Sequence, residues 1–147
     1  MSLSLYNNFG VSVLAITAVL NESYSLPMSK ITLIFPLINH QEMLNYLSRK
    51  STNVKSLDKL IVEKTVFFSN FNKRYYDSLS TTINALQYLF DQGYIEFKNN
   101  EVHLIKPMEY SKKMGDRSKK IFLASKNISL IFNEMVEKLY LNLRIEL

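Results

Sequence analysis

The chain has 147 residues, no cysteine, two histidines, three glycines and a net charge of +5. It is long enough to bury a real core as one domain, yet poor in the groups that do chemistry. Disulfides and thiolate metal sites are excluded, and three glycines disfavour a backbone cradle for a nucleotide.

Asn8 to Glu22 reads as a helix, with Asn7 or Asn8 as its N-cap. It is apolar almost all round, so it is expected either at the centre of the fold or under another chain. Ser25-Leu26-Pro27 ends it, and Ile31 to Ile38 has the look of a buried strand, kept short by Pro36. Gln41 to Arg49 is a short helix with Met43, Leu44 and Leu47 inward. Ser56 then caps another, with Leu57, Leu60 and Ile61 on one side. From about Tyr76 a further helix carries Leu79, Ile83, Leu86 and Phe90 at spacings of four, three and four, and Gly93 supplies the left-handed residue that stops it. Tyr94 to Phe97 and Val102 to Ile105 then flank the turn Lys98-Asn99-Asn100-Glu101.

Helix, glycine stop and hairpin make the closing half of a winged-helix domain. The expected fold is mainly α with a small β-hairpin, in a single domain. It combines an N-terminal apolar helix at 8–22, a winged-helix-like core at about 31–106 and one long C-terminal helix at about 116–142. Ile121, Ile128, Phe132, Met135 and Leu139 form a stripe on that last helix, widened by Phe122, Leu130, Ile131, Val136, Tyr140 and Leu143. A stripe so wide exceeds what one small core needs. The expected partner interface is therefore Val13, Ile16 and Leu20 on the first helix with Ile128, Phe132, Met135 and Leu139 on the last.

Seven bases fall within residues 44–74 and six within 106–120, whereas Tyr76 to Gln92 holds no Lys or Arg. A helix entering a major groove needs such cations for phosphates and guanines. Non-specific phosphate contact is expected instead from Lys73 and Arg74 at the helix start, Lys98 in the wing, and the run Lys112, Lys113, Arg117, Lys119 and Lys120. A winged-helix DNA-binding transcriptional regulator is the rival reading.

No GxSxG elbow, carboxylate pair or nucleophile–base set is present. His40 and His103 lie far apart with no second ligand at metal spacing. The chain is expected not to be an enzyme, and to use no metal, cofactor or small-molecule substrate. No run approaches the ~18 apolar residues of a membrane span, and Met1 to Gly10 carries no Lys or Arg, so neither membrane nor secretory leader is expected. The location expected is cytoplasmic. Asn21-Glu22-Ser23 and Asn127-Ile128-Ser129 match the glycosylation sequon by chance on this reading.

Several stretches, in order, resemble the middle component of bacterial three-component systems built around an ABC-type ATPase, and the small accessory subunit of Lamassu-type anti-phage defence. They are Tyr6-Asn7-Asn8, Phe35-Pro36-Leu37-Ile38-Asn39-His40, Phe71-Asn72-Lys73-Arg74, the spaced Ala85, Leu86, Gly93, Tyr94 and Ile95, and Asn142-Leu143-Arg144-Ile145. The chain departs from the family where Phe9 replaces a common proline and where tryptophan is absent. The resemblance implies a kleisin-like subunit beside an SMC-like ABC ATPase and an effector, commonly a nuclease.

Overall fold

The computed structural model describes the backbone of residues 3–109 and 115–147, with side chains from Asn8 onward. In chain order the elements are α1 (Leu3–Ser23), β1 (Ser25–Pro27), α2 (Met28–Ile38), α3 (Gln41–Leu47), α4 (Leu57–Glu63), a 3-10 turn (Thr65–Phe68), α5 (Phe71–Asp91), β2 (Ile95–Lys98), β3 (Glu101–Leu104), α6 (Asp116–Ile131) and α7 (Val136–Asn142). The fold is mainly helical with a small three-stranded antiparallel sheet. Among the described residues no helix is long and apolar enough to cross a membrane.

α1 is the hub. It packs against α6, α5 and α2 at once, which is why it is apolar on all sides: Ala15, Ile16, Val19 and Leu20 have no exposed surface. The helix begins before the asparagines, so Asn7 and Asn8 are helical residues and not its N-cap. Asparagine costs a helix only about 0.7 kcal/mol against alanine, little beside the burial of the turns that follow.

The Ile31 to Ile38 run is helix, not strand. All eight residues are buried within α2, and a short apolar run does not distinguish the two by periodicity. Pro36 sits inside the helix, and its carbonyl accepts a bond from Arg74 Nη2 at 2.7 Å. Ser25-Leu26-Pro27, read as a mere break, is a strand: Leu26 pairs with Val102 and Ser25 with His103. The hairpin thus becomes a sheet in the order β1-β3-β2. Its turn is Asn99-Asn100, both at positive φ (55° and 62°), as a two-residue primed turn requires. Gly93, at φ 77°, ends α5 as expected.

The single C-terminal helix is two helices. α6 stops at Ile131, and an extended Met135 (ψ 144°) starts α7. The Phe132 carbonyl at the break accepts from Lys30 Nζ. The bend returns α7 to the core, where Leu139, Leu143 and Ile145 join Ile121, Ile128 and Phe132. One continuous core runs from α1 to the residues after α7.

Candidate functional site

The seven expected interface residues divide sharply. Val13, Ile16, Leu20, Ile128, Phe132 and Leu139 are buried in the chain's own core, and Met135 alone is exposed, at 69%. The expectation of a partner face on those six is corrected: most of the wide stripe is buried, because the break after α6 turns both halves of it inward, and only Leu130 and Met135 of it are exposed.

Apolar surface instead comes to the outside on α5. The sequence stripe Leu79, Ile83, Leu86, Phe90 marks an edge of the buried face, not its centre. The residues turned inward are Phe71, Tyr75, Ser78, Thr82, Ala85, Leu86 and Leu89. That leaves Tyr76, Ile83 and Phe90 exposed, each seven residues from the next and so on one line down the helix. Ile83 is 59% exposed. The line continues onto the hairpin, where the Phe97 ring lies 5.4 Å from that of Phe90. Phe97 also borders a cavity of about 440 Å³ with Met28, Asn100 and Val102. From Ser78 to Phe90 the helix bears no charged residue, and depletion of charge is the compositional mark of an interface centre. Small polar residues at 78 and 82 hid this face, since they fill inward positions that a count of apolar residues assigns to solvent.

The expected nucleic-acid contacts are scattered. Lys73 is exposed and paired with Asp77 at 2.6 Å. Arg74 donates to the Phe67 and Pro36 carbonyls, both at 2.7 Å, and covers the Phe71 ring. Burial lowers its pKa below the ordinary arginine value, and the guanidinium is a clamp between chain segments, which corrects its assignment to phosphate. Lys98 is exposed at the end of β2, next to the turn. Arg117 reaches Asn39 and Lys120 reaches Asn45, so these two side chains are engaged at α3. Lys119 is exposed on α6. Lys112 and Lys113 lie outside the described residues.

Neither histidine joins a reactive group. His40 is the N-cap of α3, its Nδ1 accepting the Met43 N–H at 3.1 Å. Burial, then the nearby Arg74 charge, lower its pKa below 6.5, while Glu42 acts the other way. His103 faces Glu101 at 3.8 Å on β3. Tyr140 donates to the Ser29 carbonyl at 2.7 Å and lies near the Thr32 and Tyr75 hydroxyls, and burial raises its pKa far above the ordinary phenol value. Among the described residues no three metal-binding side chains converge.

Residues 13–147 match the sequence profile of the family described as ABC-three component (ABC-3C) system Middle Component 3. Neither the curated proteins nor the solved structures give a match.

Proposed function

The chain belongs to the Middle Component 3 family of ABC-three component systems, and on that premise we propose that it is a non-enzymatic bridging subunit that docks on the system's ABC ATPase through the outer face of α5 and the adjoining hairpin. An ABC ATPase and further components are its partners by membership of such a system. The observation that carries the proposal is the line Tyr76, Ile83, Phe90 and Phe97, exposed along α5 and onto the hairpin with no charged residue from Ser78 to Phe90. Aromatic anchors on a rigid helix, beside a cavity able to receive a partner side chain, are the usual centre of a binding energy hot spot.

The order of strand, helices and hairpin, with the sheet order β1-β3-β2, supports a winged-helix reading in which α5 takes the recognition-helix position. A regulator that reads bases would need cations on that helix face, and Ser78 to Phe90 has none. The same domain used for protein contact fits an SMC-associated, kleisin-like subunit of the Lamassu type, working in the cytoplasm and holding an effector such as a nuclease against the ATPase.

The test is co-purification of the three components. With this chain present, tagged ATPase retains the effector; without it, the effector is lost. Effector retained in its absence would contradict the bridging role. Hydrolysis of a nucleotide or nucleic acid by the isolated chain, abolished by a point substitution, would contradict the non-enzymatic one.

A further inference from the structure

The two basic stretches of the sequence meet at α3. From the C-terminal side, Lys120 Nζ donates to Asn45 Oδ1 at 2.7 Å, and Arg117 Nη2 donates to Asn39 Oδ1 at 3.1 Å just before the helix. From the other side, Lys64 Nζ stands 5.0 Å and the Arg49 guanidinium 5.9 Å from the centre of the Tyr46 ring. Tyr46 also borders a cavity of about 180 Å³ with Lys55, Lys59 and one acid, Glu63. One ring therefore organises cations from both flanks of α4, and cation–π attraction fixes two of them in place.

None of these charges is held in an ion pair among the described residues. Among the described residues Arg49, Lys50, Lys55, Lys59, Lys64 and Lys119 have no carboxylate within 4.0 Å, and Asp58, set between Lys55 and Lys59 in sequence, faces Lys138 of α7 at 3.9 Å. Gathering like charges costs electrostatic energy, which a polyanion relieves.

The surroundings select the kind of polyanion. No large hydrophobic residue is exposed between Asn39 and Ile61, nor between Lys106 and Phe122 among the described residues, and the exposed Val62 and Val66 come only beside Lys64. A protein interface needs an apolar centre, whereas contact with sugar–phosphate backbone needs only exposed cations and polar groups. We infer that the surface around α3 binds the phosphate backbone of nucleic acid without sequence preference, on a part of the molecule separate from the α5 stripe. This does not depend on the bridging role, since it concerns the isolated chain and a different ligand.

The test is fluorescence anisotropy with a 30-base-pair DNA duplex and the whole chain. About four phosphate contacts predict an affinity loss of roughly a hundredfold between 50 and 200 mM salt. The triple variant Arg49→Gln, Lys55→Gln, Lys59→Gln should weaken binding about tenfold or more at 50 mM. Lys73→Gln, Lys98→Gln, Lys106→Gln removes the same charge from the α5 and hairpin side and should change it less than about threefold. The charge-retaining triple Arg49→Lys, Lys55→Arg, Lys59→Arg should bind like wild type, which separates lost charge from lost fold. The inference is overturned if wild type fails to bind at 50 mM, if affinity is flat in salt, if the two Gln triples lose equally, or if the charge-retaining triple also loses binding. It is equally overturned if polyglutamate at matched charge displaces the labelled duplex as effectively as unlabelled duplex does.

Discussion

Asn127, 5% exposed on α6, ties down the loop between α3 and α4. Its amide donates to the Leu47 carbonyl at 2.8 Å and the Thr52 carbonyl at 3.2 Å, and its Oδ1 accepts from Val54 N–H at 3.3 Å. Replacement by Ala strands three backbone groups, so Asn127→Ala should cost about 2–3 kcal/mol in urea unfolding. Ser56→Ala, which removes only the α4 N-cap bond to Lys59, should cost about 1 kcal/mol. An Asn127→Ala cost no larger than that of Ser56→Ala would contradict the role. His40 gives a pH dependence. It caps α3 only when neutral, and its folded pKa lies below the unfolded value of 6.5. Its contribution is thus complete above about pH 6.5 and is lost as pH falls through the folded pKa. Between pH 7 and 5 the urea midpoint of wild type should drop by more than that of His40→Asn, whose amide caps at either pH. Equal drops would remove the cap from the account. The Ser56 cap was legible, because Ser before an apolar run has a fixed meaning. Asn127 was not. Its partners lie more than seventy residues away, outside any local pattern.

At the scale of the element, local patterns are legible in the sequence and long-range ones are not. The Gly93 stop and the Asn99-Asn100 turn depend on neighbours in sequence. The helical state of Ile31 to Ile38 depends on being surrounded by α1, α3 and α5, which no window of the sequence contains. β1 has three residues and is a strand only because β3 is there to pair with it. The break between α6 and α7 likewise follows from the need to bury both Phe132 and Leu139. These differences predict opposite outcomes for two charge insertions. Phe132→Asp buries an unpaired carboxylate and should cost about 3–5 kcal/mol, with loss of cooperative unfolding. Ile83→Asp lies on the exposed face of α5 and should shift stability by no more than about 0.5 kcal/mol. Circular dichroism melts of the two variants check this, and similar losses would mean that Ile83 is core.

On the whole molecule the two surfaces differ in kind. The α5 and hairpin side is apolar, aromatic and free of charge along the middle of the helix; the α3 side is cationic and, from Asn39 to Ile61, free of large exposed apolar groups. Net charge and the uneven placement of bases were visible in the sequence, but not that residues 49–64 and 117–120 converge, because only the packing of α6 on α3 brings them together. Such a division suits a subunit that grips a protein with one side and a polyanion with the other. The most direct measurement is the affinity of the purified chain for its ABC ATPase, compared with the folded double variant Ile83→Asp, Phe90→Asp. Removing two central anchors and adding two desolvated charges predicts a loss of at least about a hundredfold, with an unchanged circular dichroism spectrum. Wild type that does not bind the ATPase, or a double variant that binds as tightly, would contradict the account.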